Sequence, residues 1–427
     1  MCIDVGRLIR REEIEMQAVS EMDLPLLDAG GPEFSANPTP FMEAARAQHP
    51  WLAKSNIGGY IVHSYKACRD MCSNDVKTRP FYSGFPQYYG VEDEPWGHFI
   101  SEMMNAAEGE THHRLRMSCF TAFTPKSINK YRGVMREVIS ELLDAWVPKG
   151  KFDFAEFASH FPITVFCSLL GVSTDVVPKI NKALEAQTSS AELNKANLPK
   201  ILSAFDVLWD FADNAVKEHE KRGGHDGGLI DTMIAARNAG KLNDTEMRQN
   251  LIMFAAAGYD TSKNMLGHIM YQMLSHPDQW ERCATDPAYV KLVVEECLRH
   301  SSIPTIYRSV VEDYEYDGVF FPKGTMLILL LSMAGRDASV FENPLDFQPE
   351  RPNAKDHVTF GRGEHYCIGM HLARAQLEEA TYLLAQRLRN PKVAGEVTWR
   401  PYMGVWGVKS LPIEFEPAPA PTSMAAE

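Results

Sequence analysis

One segment restricts the folds open to this chain more than any other: Asn243 to Ser275 patterns as a single helix of unusual length. The average helix has about 11–12 residues. Asn243 followed three positions on by Glu246 is a capping-box start, and His276-Pro277 supplies the stop. The middle reads FAAAGYDTS, where Gly258 and Thr261 weaken the helix and Asp260 places a charge in an apolar stretch. This pattern predicts a break in a buried helix beside a polar pair, and such a local conflict marks a functional site.

The remainder is mainly α with a small β portion. Apolar residues recur three and four apart over 40–49, 64–74, 126–146, 158–170, 196–221, 287–300 and 368–388. Short strand signals fall at Tyr60 to Val62, Tyr307 to Val311, Thr325 to Leu329 and Leu411 to Phe415. There is no internal repeat and no linker. The expected organisation is an N-terminal extension over 1–35, one domain over 36–416, and a disordered Pro/Ala-rich tail over 417–427.

Composition narrows the function classes. Of 427 residues, 45% are hydrophobic and 23% charged, the balance of a globular protein with a large core. A net charge of −13 argues against nucleic acid or an anionic membrane as partner. The opening MCIDVGRLIRREEIEMQ resembles neither a signal peptide nor an anchor, and the apolar run Met326 to Met333 is far short of the roughly 20 residues a spanning helix needs. A soluble, cytoplasmic protein is expected. Eight cysteines without paired spacing do not make a disulfide framework, and Cys68 and Cys72 lack the partners of a zinc site.

Cys367 stands apart. It lies in Phe360-Gly-Arg-Gly-Glu-His-Tyr-Cys367-Ile-Gly369, which runs into a helix expected from Ile368. Gly361, Gly363 and Gly369 let the backbone turn tightly and approach a large planar ligand. A cysteine at a helix N-terminus meets free N–H groups and the positive end of the dipole, which favour its thiolate.

The spacing of Phe360, Gly363, Cys367 and Gly369 resembles the signature of the cytochrome P450 family, and the resemblance extends over roughly 36–416. It implies the cytochrome P450 fold, with haem b ligated by Cys367 and lying between the cysteine loop and the long central helix. Thiolate ligation pushes electron density onto iron and favours O–O cleavage. By the same resemblance Phe360, Gly361, Gly369, Ala257 and Gly258 would contact the haem. His112, Arg116, Arg308 and His365 would be donors to its two carboxylates, since an unpaired carboxylate in a dry pocket is costly. Glu296, Arg299 and Arg351 resemble the family's structural triad. Spacing alone would read Glu296 and Arg299 as a surface ion pair. Asp260 and Thr261 resemble its acid–alcohol pair, with Thr261 bonding dioxygen or a water beside it and Asp260 relaying protons. The rival account has Asp260 salt-bridged and Thr261 bonded to its own helix.

Positions expected to face substrate are Met253, Ala256, Ala257, Ile303, Thr305, Ile306, Val405 and Trp406, and the loop Phe81 to Tyr89 adds five aromatic residues. They suggest a small terpenoid or aromatic substrate, with fatty acids or steroids as the alternative. No nucleotide-binding glycine fingerprint and no cysteine cluster for an iron–sulfur centre is present, so electrons are expected from a ferredoxin and its reductase. Arg114 and Arg362 are the expected docking contacts of a monomeric enzyme. A peroxide-driven relative would lack the acid–alcohol pair, and a haem sensor would carry a signalling module.

Overall fold

The central helix forms where its capping signals place it. In the structure, a computed structural model that describes residues 16–223 and 227–420, it spans Asp244–Leu274. The Glu246 N–H donates to Asn243 Oδ1 (2.8 Å), and the Asn243 N–H donates to Glu246 Oε2 (2.9 Å). These reciprocal bonds satisfy two of the donors that a helix start leaves free. Thirty-one residues rise roughly 46 Å. The expected break does not occur. Gly258 and Thr261 stay helical, because burial on nearly every side outweighs their weak propensity.

Other helices wrap this axis. Phe154–Leu170 starts at Asp153, which accepts from the Ala155 N–H, and stops at Gly171 in the left-handed conformation (φ 64°). Leu198–Arg222, Pro287–His300 and Met370–Arg387 pack on other sides of the same axis. The single helix expected over 126–146 is two, Pro125–Asn129 and Arg132–Trp146, because Thr124 caps a separate first turn at Ser127. Val177–Thr188, Pro95–Glu102 and Leu229–Asn238 are helices that periodicity did not reveal. Each is short, and the first two begin beside a proline that reads locally as a breaker.

The largest sheet has six strands, ordered Leu26–Leu27, Leu52–Ser55, Tyr60–Val62, Met326–Leu330, Thr305–Val310 and Thr78–Pro80. Leu327 pairs with Tyr60 in parallel and with Arg308 antiparallel. The C-terminal strand Pro412–Pro417 lies between Leu388–Val393 and Lys151–Asp153.

The first 35 residues are not a separate extension where the structure describes them. Gln17–Ala18 pairs with Val319–Phe321, Leu26–Leu27 edges the main sheet, and Pro32–Ala36 is a helix. The Ser35 carbonyl accepts from Trp406 Nε1 (2.9 Å), and its hydroxyl accepts from the Tyr402 N–H (3.0 Å). At the other end Pro417 pairs with Leu388, and the buried Ala418 accepts from Arg387. The rest of the expected tail, 421–427, lies outside the described residues.

Asn243→Ala removes the helix cap while burying nothing new. We expect a loss of about 1 kcal/mol in denaturant unfolding with an unchanged slope.

Candidate active site

The cysteine loop is shaped by its own backbone. Gly361 and Gly363 take φ of 70° and 75°, a region side chains disfavour. The Cys367 N–H then donates back to Phe360 O (3.0 Å), and the Gly361 N–H to Val358 O (2.8 Å). The helix begins at Met370 with Gly369 as its cap residue, two positions later than expected. Burial pushes the Cys367 thiol up, while the Gly369 N–H, Arg116 and Arg374 pull it down. Burial prevails, and the thiol stands above its ordinary value; coordination to a metal ion favours the thiolate.

Opposite the sulfur, the central helix is bare for one turn. From Gln249 to Met270 it is buried throughout except at Ala256, Ala257, Gly258 and Thr261. A cavity of about 440 Å³ lies between this turn and Cys367. Phe360, Gly361, Ile368 and Gly369 line it on the cysteine side. Arg116, Arg308 and His365 line it too, and the buried His112 ring lies 4.3 Å from the His365 ring. Burial lowers both imidazoles, that of His365 to about 4, so both are neutral hydrogen-bonding groups at neutral pH. The donor set and the two apolar walls suit a flat apolar ring with carboxylates at one edge.

Two of these donors also hold protein groups. Arg116 Nη2 donates to Tyr366 O (2.6 Å), and Arg308 Nη2 donates to Asp75 Oδ1 (2.6 Å) and Thr78 O (2.8 Å). Asp75 was not among the expected residues, since its sequence neighbourhood carries no motif.

Asp260 and Thr261 both reach the cavity wall but do not act on one another. The Thr261 hydroxyl donates to Ala257 O (2.6 Å) in its own helix. Asp260 is 1% exposed; Oδ1 bonds Arg400 closely and accepts from Asn264 Nδ2 (3.0 Å), with Lys263 Nζ at 3.5 Å. Burial pushes this carboxyl up, but Arg400 and Lys263 outweigh it and hold it below the usual carboxylate range. Its Oδ2 bonds neither Arg400 nor Asn264, and the Thr188 side chain beside the carboxyl also lowers it. Both features of the rival account are therefore present. Arg400, 140 positions away in sequence, is the residue that sequence reasoning missed, because no local pattern distinguishes it.

Glu296, Arg299 and Arg351 come together in the core rather than at the surface. Glu296 and Arg299 are fully buried and paired through two bonds (2.6 and 2.8 Å), and Arg351 Nε adds a third at 3.3 Å. Arg299 also donates to the carbonyls of Gly335, Pro344 and Asp346.

Of the expected substrate positions, Met253, Ala256, Ala257, Ile303, Thr305, Ile306 and Val405 line the cavity. Trp406 does not: Val405 faces the cavity and its neighbour turns to the opposite side, stacking on Trp399 with centroids 5.3 Å apart. The aromatic stretch is a helix from Gly84 to Tyr89 rather than a loop, and it divides its rings. Phe81, Tyr82 and Phe85 line the cavity, whereas Tyr88 and Tyr89 bond the carbonyls of Leu193 and Ser190. Phe99, Phe123 and Phe166 complete the wall from distant helices. The expected docking arginines are not a free basic patch. Arg114 is paired bidentately with Glu246 (2.6 and 3.0 Å), and Arg362 lines the cavity with a buried Nε that has no partner among the described residues.

The profile of the family Cytochrome P450 matches residues 70–393. Luteothin monooxygenase of Streptomyces thioluteus is 31% identical over 92% of this chain and 96% of its own length. The Biotin biosynthesis cytochrome P450 of Bacillus subtilis is 29% identical over 90% of this chain and 98% of its own. The crystal structure of P450BioI in complex with hexadec-9Z-enoic acid ligated acyl carrier protein is similar with a TM-score of 0.80 at 25% identity, covering 90% of this chain and 100% of that one. A chain with this cysteine loop facing a bared central helix belongs to the cytochrome P450 family and is a monooxygenase. Its cofactor is haem b ligated by cysteine. Among the described residues no helix is long and apolar enough to cross a membrane.

Glu296→Ala would leave Arg299 and Arg351 charged, buried and short of their shared acceptor. The expected loss is about 3–5 kcal/mol, read as a lower denaturation midpoint of the purified protein.

Proposed function

We propose that this protein inserts one oxygen atom of O₂ into a C–H bond of a compact, largely apolar substrate of the aromatic or terpenoid class. Electrons come from a separate ferredoxin and its reductase. The observation that carries the reading is the aromatic-walled cavity between Cys367 and the bare turn Ala256–Gly258. Relatives named for luteothin oxidation and for biotin biosynthesis support a dedicated biosynthetic substrate.

Haem held by Cys367 supplies the activation of dioxygen, which thiolate ligation favours. The chain's own residues place and protect that chemistry. His112, Arg116, Arg308 and His365 bind the carboxylate edge of the cofactor. Phe81, Tyr82, Phe85 and Phe166 exclude water and orient the substrate, with Val405, Thr305 and Ile306 across the cavity. Thr261 spends its own proton on Ala257 O, so its lone pairs remain free to hold a water in the cavity. Asp260 carries protons to that water through Oδ2, the oxygen that Arg400 and Asn264 leave unbonded. Lys263, which bonds the half-exposed Glu185 (3.1 Å), connects this acid to the solvent side.

Two measurements test these roles. Ferric protein titrated with terpenoids, substituted benzenes, fatty acids and steroids should show the Soret shift of water displacement with compact ring compounds. A shift with fatty acids or steroids alone would reject the compact substrate. Asp260→Asn should lower turnover with a ferredoxin pair on the order of 100-fold and leave substrate Kd unchanged. Full turnover of D260N, or equal turnover of the wild type on peroxide alone, would reject the relay.

A further inference from the structure

We propose that Asp75 is a positioning residue that clamps the cysteine loop to the carboxylate-binding edge of the haem site. Asp75 follows the helix Tyr65–Ser73, which belongs to neither element. Its two oxygens divide between them. Oδ1 accepts from Arg308 Nη2 (2.6 Å), and Oδ2 accepts from the Glu364 N–H (2.9 Å), three residues before Cys367. The side chain is 16% exposed and that of Arg308 3%, so solvent screens the bond little. Charge-assisted bonds of this kind are about twice as strong as neutral ones.

The surroundings are built for this contact. A Cβ on Gly363 would overlap Asp75 Oδ2 and come within 2.8 Å of Cys72 O, so glycine is what lets the loop descend onto the carboxylate. Arg308 Nε donates to Thr78 Oγ1 (3.3 Å) and Nη2 also to Thr78 O (2.8 Å), which fixes the guanidinium plane. Nη1 is left without a protein acceptor among the described residues, on a side chain that lines the cavity. One guanidinium thus serves the Asp75 carboxylate on one side and a cofactor carboxylate on the other. Asp75 also adds a negative charge at this edge of the site. With haem bound, that charge would oppose electron uptake by the cofactor.

The assignment rests on Cys367 as the haem ligand, which the ferrous–CO band of thiolate-ligated haem in the wild type checks separately. Asp75→Asn keeps the shape and one acceptor but removes the charge. Haem transfer from the D75N holoenzyme to apomyoglobin should be roughly tenfold faster, and its midpoint potential should move to a more positive value. Glu312→Gln removes an exposed charge that pairs with Lys77 and takes no part in the clamp, and should leave haem transfer at the wild-type rate. Wild-type potential and haem transfer in D75N, even with a lower thermal midpoint, would overturn the proposal, as would equal effects of D75N and E312Q. If D75N does not accumulate with haem, D75E decides by the same two readouts: it keeps the charge but misplaces it, and wild-type values would again overturn the clamp.

Discussion

A fully buried carboxylate shared by two arginines holds this molecule's connections in place. Glu296 cannot be hydrated, and neither can Arg299, so each must find every partner within the protein. Arg299 finds carbonyls at Gly335, Pro344 and Asp346, and Arg351 finds those of Glu342, Asn343 and Asp346. The segment 335–351 has little regular structure of its own, and these bonds are what give it one conformation. That segment leads directly into the cysteine loop, so the sulfur's position is inherited from an ion pair remote from the cavity.

The cavity has two different walls for the same reason. The cysteine side is made of backbone, with glycines and N–H groups brought close to the sulfur. The helix side is made by omission, since Ala256, Ala257 and Gly258 present almost no side chain. A flat space results only because a straight, fully bonded helix faces a rigid loop. This explains why the break expected at Gly258 is absent: a broken helix would fill the space that the small residues clear.

The parts legible in the sequence were those whose signals are local. The cap at Asn243 and Glu246, the glycine-rich cysteine loop and most of the helical ranges depend on residues a few positions apart, and the structure places them close to where they were expected. The features missed depend on contacts across hundreds of positions. Arg400 reaches Asp260, and Asp75 reaches Glu364, with nothing in either neighbourhood to announce it. Trp406 was misplaced because alternation along an extended segment turns it away from Val405, and sequence does not say which of two neighbours faces in. Likewise Tyr88 and Tyr89 spend their hydroxyls on backbone carbonyls, a use that composition cannot distinguish from a substrate wall.

Ser35 makes two bonds to the segment around Tyr402 and Trp406, joining positions more than 360 residues apart. That segment also carries Val405 to the cavity and Arg400 to Asp260. During synthesis the early residues therefore wait for nearly the entire chain before their partners emerge. Domains generally fold as units from the N-terminus onward, but here Val405 of the substrate wall and the buried acid's counter-ion Arg400 arrive only when residues near 400 have been made. Residues near 35 and near 402–406 therefore settle in one step, and a change at Ser35 would be felt at Val405 and Arg400 without touching either.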